Sequence, residues 1–198
     1  MTDIGGYRLG RLLGHGNFGQ THEATKEGER VALKLIREEA VLQGFDQRRF
    51  EREVRSLQKV VGPNVVKLIE AGVAQFGNET RYFVALEYLE GRDLARAFRE
   101  AGSSFDEQRL KDILVQIVTG LQAVHSQNIV HRDLKPANVF LTDTGVIKLL
   151  DFGLVKMLDY TTLTTLPGQP IGTPLYIAPE ILRGDQVDYR ADFYSLGS

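Results

Sequence analysis

The hydrophobic pattern changes period once along this chain, and that change limits the fold more than any other feature. Up to about residue 86, apolar residues fall in short strand-like runs: Tyr7–Leu13, Thr21–Thr25, Arg30–Ile36, Val65–Ala71 and Arg81–Leu86. Turn residues separate them, and Lys26–Glu29, with Gly28 inside, predicts a hairpin. One helix interrupts the series, with Asp46 as its N-cap and Phe50, Val54, Leu57 and Val61 on one face. Beyond Gly91 the pattern turns helical. Leu94, Ala97, Phe98 and Ala101 make a short stripe ended by Gly102. Asp106 then caps a longer helix whose stripe runs Leu110, Ile113, Leu114, Ile117, Leu121 and Val124. The expected architecture is α+β: a small antiparallel sheet with one helix, a hinge, and a mainly helical second half. A cleft between two such lobes is the natural ligand site.

Composition narrows the function classes. With 198 residues, 42% of them hydrophobic, the chain can bury a sizeable core. Its net charge of −2 argues against bulk attraction to nucleic acid or to anionic membrane. The absence of cysteine excludes disulfides, thiolate metal sites and cysteine nucleophiles. The N-terminal MTDIGGYRLG lacks the apolar core of an export signal. The two long uncharged stretches, Ile113–Val130 and Tyr160–Pro179, carry too many polar residues or prolines to sit in hydrocarbon. A cytoplasmic protein without a membrane segment is expected.

Three motifs carry chemistry. Gly14-His15-Gly16-Asn17-Phe18-Gly19 follows a strand-like run, and glycines let backbone N–H groups approach phosphates closely. By itself this is weak, because a chain of this composition yields about 0.2 such matches by chance. A glycine-rich hairpin turn would read the same way. The residues after it are strand-like, which fits a dinucleotide fold poorly, and the lysine of a P-loop is missing. Val31-Ala32-Leu33-Lys34 places one cation in apolar company, and Glu53 in FEREVRSL is the carboxylate best placed to pair with it. The third motif, His131-Arg132-Asp133-Leu134-Lys135-Pro136-Ala137-Asn138, decides the reading. A pattern H-R-D-x-x-x-x-N arises by chance in roughly 5 of 10,000 such chains. Asp151-Phe152-Gly153 and Ala178-Pro179-Glu180 follow in order.

In that order the motifs resemble the protein kinase domain, from Tyr7 to the end of the chain. DLKPAN and GTPLYIAPE are similar to the serine/threonine class, and FGQT, HSQNIVHRDLKPANV and DFGLVK to bacterial kinases of the eukaryotic type. The resemblance implies a bilobal kinase fold with an N-lobe over 1–88, a hinge over 89–93 and a partial C-lobe over 94–198. The catalytic loop is then 131–138 and the activation segment 151–180. VDYRADFYSLGS matches the start of the family's long central helix, with Asp192 placed to brace the catalytic loop. The later helices would be absent, leaving the C-lobe incomplete and the underside of the Leu110–Val124 helix partly uncovered.

The same resemblance implies roles. ATP and Mg²⁺ are the expected cofactors. Leu13, Thr21, Ala32 and Phe140 would sandwich adenine, with Glu87 and Leu89 offering hinge groups behind Leu86 and Asp93 binding the ribose. Gly14, Gly16 and Gly19 would cover the phosphates, and Lys34, held by Glu53, would draw the α- and β-phosphates into place. Asn138 and Asp151 would bind the metal. Asp133 would take the substrate hydroxyl proton and Lys135 would stabilise the γ-phosphate. Thr21 stands where the family usually has valine.

Regulation follows from charge. Arg132 and Lys156 would receive a phosphate on a loop threonine among Thr161, Thr162, Thr164 and Thr165, while Thr173 would help select the substrate. Expected partners are proteins bearing Ser or Thr, with self-association through autophosphorylation or the uncovered C-lobe surface. His131 is expected to pack under Phe152. His15, His22 and His125 are expected at the surface or at helix ends, and Arg48, Arg49, Arg52 and Arg55 on a solvated face. The leading reading is a Ser/Thr protein kinase; the alternatives are a catalytically incompetent nucleotide-binding or scaffold fragment and a small-molecule phosphotransferase.

Overall fold

A computed structural model describes residues 3–16, 19–36, 47–76, 79–152 and 174–198. It divides into two compact units. Within the described residues, the first is built from the chain up to residue 58 together with 67–89, and the second from 59–66 and the remainder.

The first unit is a six-stranded antiparallel sheet with one helix. Its strands are β1 (Asp3–Ile4), β2 (Tyr7–Gly16), β3 (Gly19–Lys26), β4 (Glu29–Ile36), β5 (Leu68–Phe76) and β6 (Glu79–Glu87), in the spatial order β1-β2-β3-β4-β6-β5. The β3–β4 hairpin closes where expected. Lys26 pairs with Glu29, and Glu27 and Gly28 at its tip both have positive φ, 53° and 86°. Two positive values in a two-residue loop give the backbone twist that a tight hairpin requires. Ile4, Tyr7, Ala24, Val31, Leu33, Phe83 and Ala85 form the buried core of this sheet.

Helix α1 (Gln47–Leu57) buries Phe50, Val54 and Leu57, and the Phe50 ring meets Tyr82 edge-on at 4.9 Å. Its expected cap, Asp46, lies outside the described residues. Val61, assigned to the same apolar face, is instead 82% exposed, because the helix ends at Leu57. Val65 and Val66 likewise do not begin a strand of this sheet. Val65 makes a parallel bridge to Leu149, and the Val66 amide donates to the Leu149 carbonyl at 3.0 Å, so both belong to the second unit.

The second unit holds helices α2 (Leu94–Glu100), α3 (Glu107–His125), α4 (Pro179–Arg183) and α5 (Arg190–Gly197). It also holds a three-stranded antiparallel sheet, β7 (Gly91–Asp93), β8 (Val139–Thr142) and β9 (Ile147–Leu149), that the sequence pattern did not predict. Asp106 caps α3 as expected, its Oδ1 accepting the Arg109 amide at 2.8 Å. Along α3, Ile113, Ile117, Leu121 and Val124 are buried, whereas Leu110 and Leu114 of the predicted stripe are exposed. The stripe of α2 is also only partly inside: Ala97 is buried and Phe98 is exposed.

A polar knot ties the 59–66 segment to α3 and β9. Asn64 Nδ2 donates to Gln116 Oε1 at 3.1 Å and to the Ile147 carbonyl at 2.9 Å, and the Ile147 amide donates to the same Gln116 oxygen at 2.9 Å. The Leu149 amide donates in turn to the Asn64 carbonyl at 2.9 Å. Since β9 runs directly into Asp151, this knot sets where that residue leaves the sheet.

In the first unit, the Tyr7 hydroxyl and Lys26 Nζ both donate to Glu70 Oε2 at 2.7 Å, and Lys26 stands 4.7 Å above the Tyr7 ring. Three strands, β2, β3 and β5, are linked through one carboxylate oxygen. Hydrogen bonds from Lys26 and Tyr7 hold the Glu70 carboxyl below its usual value of 4.5, while burial and the Glu70 hydrogen bond push the Tyr7 hydroxyl up. A group whose folded value is lowered stabilises the fold above its unfolded value, and that contribution is lost as pH falls through the folded value. Tyr7→Phe is therefore expected to cost on the order of 1 kcal/mol at pH 7. Thermal melts of Glu70→Gln against the parent should show a deficit at pH 7 that shrinks as pH falls below the usual 4.5 and closes once it has passed the lowered folded value. A gap independent of pH would refute the ionic origin.

Candidate active site

The glycine motif lies at the β2–β3 turn, and its three glycines stand there for different reasons. Gly19 has φ 153°, and a Cβ on it would sit 1.8 Å from the Leu35 carbonyl oxygen of β4, so its glycine is demanded by the fold itself. Gly14 and Gly16 have no such need. A Cβ on Gly14 would meet nothing within 4 Å, and one on Gly16 only the Gly19 carbonyl oxygen at 4.0 Å. Both are exposed, so their bare backbone faces open space, which is what a phosphate-covering loop requires.

Next to this turn, Thr21 of β3 pairs with both Gly14 and Lys34. Lys34 on β4 is only 3% exposed, and Ala32 two residues earlier is half-buried. Glu53 is half-buried on α1 of the same unit. Leu13, in the irregular stretch of β2, is exposed. Leu86, Glu87 and Leu89 are half-buried at the end of β6 and just beyond. The Glu87 side chain and backbone both engage Lys67: the Lys67 amide donates to Glu87 Oε1 at 2.8 Å, and the Glu87 amide donates to the Lys67 carbonyl at 3.0 Å.

In the second unit the residues of the His131–Asn138 motif form one connected cluster. Lys135 Nζ donates to both Asp133 oxygens, at 2.8 and 2.9 Å. Asn138 Nδ2 donates to the Asp133 carbonyl and to its Oδ2, both at 2.7 Å. Both amide protons of Asn138 are thereby used, which fixes the amide's orientation and leaves Oδ1 as the atom able to bind a cation. The Leu150 amide donates to the Asn138 carbonyl at 2.9 Å and ties Asn138 to the segment that delivers Asp151. One amide oxygen and one carboxylate are hard ligands suited to Mg²⁺, which takes its other ligands from phosphate and water. Among the described residues, no three or more His, Asp or Glu side chains cluster to hold a metal by themselves.

Two residues here carry left-handed backbone, Arg132 at φ 66° and Asp151 at φ 58°. Such strain persists only where neighbouring contacts over-determine it. At Arg132 the contact is Asp192 on α5, whose Oδ1 accepts the Arg132 amide and whose Oδ2 accepts the His131 amide, each at 2.9 Å. His131 and Phe152 are both buried.

Other expected residues fall in different settings. Asp93 caps α2, its Oδ1 accepting the Arg96 amide at 2.8 Å, so one of its oxygens serves the helix. Phe140 lies on β8 opposite Asp93. Lys156, Thr161, Thr162, Thr164, Thr165 and Thr173 lie outside the described residues. His15 is exposed as expected, but His22 is half-buried on β3. His125 ends α3 as expected, and its Nε2 stands 2.7 Å from Asp192 Oδ2. Gln116 and Asn64 were missed, as was this contact. The available signals were slight: a polar residue inside an apolar helical stripe, and a histidine six residues ahead of His131.

A glycine hairpin beside a buried strand lysine, and a loop in which an aspartate, a lysine and an asparagine share hydrogen bonds, place this α+β protein among the kinase folds. The protein kinase domain family matches residues 7–198, and the chain belongs to it. It is 35% identical over 196 residues to a probable serine/threonine-protein kinase of Streptomyces coelicolor, covering 98% of this chain and 29% of that protein. Over 196 residues it is 38% identical to the DNA damage-responsive serine/threonine-protein kinase RqkA of Deinococcus radiodurans, with the same coverage of both chains. Among solved structures, the PknI kinase domain of Mycobacterium tuberculosis matches with a TM-score of 0.76 at 27% identity, over 98% of this chain and 71% of that one. The chain thus spans less than a third of the length of these two full-length relatives.

The different origins of the glycines can be tested. Gly19→Ala should destabilise the protein by roughly 1–3 kcal/mol or more through the clash with Leu35. Gly16→Ala should change stability by less than about 1 kcal/mol. It should nonetheless weaken nucleotide binding about tenfold, or about 1.4 kcal/mol. Chemical denaturation with and without nucleotide reads both effects. Equal destabilisation at the two positions would make both glycines structural.

Proposed function

We propose that this chain is the catalytic domain of an ATP-dependent protein kinase that transfers the γ-phosphate of ATP to Ser or Thr hydroxyls of proteins. The observation that carries the proposal is the Asp133–Lys135–Asn138 cluster, in which one carboxylate, one ammonium and one amide lie within hydrogen-bond reach on a braced loop. In the proposed step the substrate hydroxyl oxygen attacks the γ-phosphorus and the bond from that phosphorus to the β–γ bridging oxygen breaks. ADP leaves with the electron pair. Asp133 orients the hydroxyl and accepts its proton.

Lys135, now paired with Asp133, supplies positive charge toward the γ-phosphate as negative charge spreads over its oxygens. Asn138 and Asp151 would hold Mg²⁺, which when bound neutralises phosphate charge. In the first unit, backbone groups of Gly14 and Gly16 would cover the phosphates. Lys34 is buried, and a buried ammonium needs an anionic partner. Glu53 is assigned that role, leaving Lys34 poised for the α- and β-phosphates. Leu13, Thr21 and Ala32 offer surface to adenine, and Glu87 and Leu89 offer backbone groups to its edge. The roles of Phe140 and of the second oxygen of Asp93 rest on the resemblance alone.

Regulation by a phosphorylated threonine in the 161–165 stretch belongs to the same proposal. Its support is Arg132, which makes no ion pair among the described residues although it adjoins the catalytic aspartate. A cytoplasmic location is proposed with it; among the described residues no helix is long and apolar enough to cross a membrane.

Incubation with labelled ATP, Mg²⁺ and a generic Ser/Thr protein substrate tests the reading. Label should reach the substrate, and Asp133→Asn and Lys34→Met should each lower transfer by at least about 100-fold while melting close to the parent. Near-normal transfer by either variant would overturn the assignment. A nucleotide-dependent rise in melting temperature without transfer would favour a binding module instead. Phosphopeptide mapping after the same incubation should locate phosphate on a loop threonine, and a loop without any would exclude autophosphorylation as the control.

A further inference from the structure

We propose that Arg11 is a positioning residue for nucleotide binding, strapping the glycine-bearing strand β2 to Tyr88 just beyond β6 and so fixing the surface offered to adenine. The proposal rests on the kinase reading for its ligand, but its geometry lies wholly inside the first unit.

The strap joins strands that the sheet keeps apart. In the spatial order β1-β2-β3-β4-β6-β5, both β3 and β4 lie between β2 and β6. Three strand spacings of about 4.8 Å therefore separate the two backbones. Arg11 Nη2 nevertheless donates to the Tyr88 hydroxyl at 2.9 Å, while its Nε donates to Glu23 Oε2 of β3 at 2.8 Å. Arg30 of β4 stands in the same cluster. Its guanidinium carbon is 4.0 Å from the centre of the Tyr88 ring, and its Nη1 is 4.0 Å from Glu23 Oε1. The planar guanidinium of Arg11 makes its two bonds at once, which a single ammonium point charge does not reproduce.

This cluster is continuous with the surface proposed for adenine. Glu23 stands directly opposite Ala32 across the β3–β4 ladder, and Thr21 lies two residues before it on β3. Arg30 lies two residues before Ala32 on β4. Side chains two apart on a strand share a face, so Glu23 and Arg30 extend the face of Thr21 and Ala32.

Strand β2 needs the strap because its own ladder is irregular there. Its register to β3 slips between Leu9 and Leu12 and again between Leu12 and Gly14, so Arg11 lies in the first slip and Leu13 in the second. An extra residue at such a slip goes unpaired. From Gly10 to Gly16 every residue is exposed, so burial adds little hold. The Tyr88 end is firmer. Its neighbour Glu87 is pinned to Lys67 by hydrogen bonds of 2.8 and 3.0 Å. Arg11 thus ties the loose strand that carries Leu13, Gly14 and Gly16 to a fixed point.

Two other roles compete: attraction of the anionic nucleotide by charge alone, and general stabilisation of the sheet. Arg11→Lys keeps the charge but loses the fork. Tyr88→Phe removes only the hydroxyl and keeps the ring beneath Arg30.

The test measures Kd for ATP by calorimetry well below the melting temperature, kcat at saturating ATP, and amide hydrogen exchange by NMR. Arg11→Ala, Arg11→Lys and Tyr88→Phe should each weaken ATP binding about 3- to 5-fold, the scale of one exposed charged contact. In all three, kcat should stay within about twofold. Amides of residues 12–16 should exchange faster while those of Phe83 and Ala85 on β6 stay protected. The double variant Arg11→Ala/Tyr88→Phe should bind ATP no worse than its weaker single variant, because both remove one interaction. Parent-like binding by Arg11→Lys would overturn the proposal in favour of charge alone. Lower melting temperatures with unchanged Kd and exchange would overturn it in favour of sheet stability, and fully additive losses in the double variant would also reject it. If the parent binds no ATP, the kinase reading fails separately, and the exchange of residues 12–16 still decides whether Arg11 holds β2.

Discussion

The backbone that presents Asp133 is held from beneath by a carboxylate with no access to water. Asp192 accepts two successive amides, and the second belongs to a residue in left-handed conformation. Burying a polar side chain is costly unless its atoms are hydrogen-bonded. What the acid supplies is a fixed pair of acceptors for a turn that no regular element would hold. The Asp133–Lys135–Asn138 cluster is built on that turn, so its short hydrogen bonds exist before any substrate arrives. Preorganisation of this kind is how a transfer site avoids reorganising polar groups at the moment of reaction.

A second set of polar bonds does for Asp151 what Asp192 does for Asp133. Gln116 offers one oxygen to two donors, Asn64 Nδ2 and the Ile147 amide, and this binds α3, the 59–66 segment and β9 at one point. From β9 the chain passes through Leu150, whose amide reaches the Asn138 carbonyl, and on to Asp151. The two proposed metal ligands therefore come from segments thirteen residues apart but share one hydrogen-bonded frame. In both cases the proposed site residue sits at the end of a short polar relay anchored on a helix, α5 for Asp133 and α3 for Asp151.

These relays mark the limit of what could be read from the sequence. The strands around Tyr7, Thr21 and Lys34 and the Asp106 cap were legible because each depends on neighbours a few residues away. The β3–β4 turn was legible for the same reason, since Gly28 favours it locally. Motif order is what marked Asp133, Asn138 and Asp151 as candidate site residues. By contrast, β8 and β9 have four and three residues, too short for an alternation to register. Val65 and Val66 read as the start of a sheet strand, yet their backbone partner is Leu149, more than eighty residues away. His125 was assigned a bland role because its partner lies 67 positions further on. A polar contact between distant segments leaves no period in the sequence, and only the fold reveals it.

The glycine motif shows the same division within six residues. A pattern of three glycines suggests a single cause, the close approach of phosphate. Yet Gly19 is obliged by the strand beside it, where the Leu35 carbonyl leaves no room for a Cβ, while Gly14 and Gly16 border empty space. One glycine shapes the turn and the other two leave its outer face bare. The first would be kept in a protein that bound no nucleotide. The other two, costly in chain entropy and unexplained by internal packing, are the ones whose presence argues for a ligand.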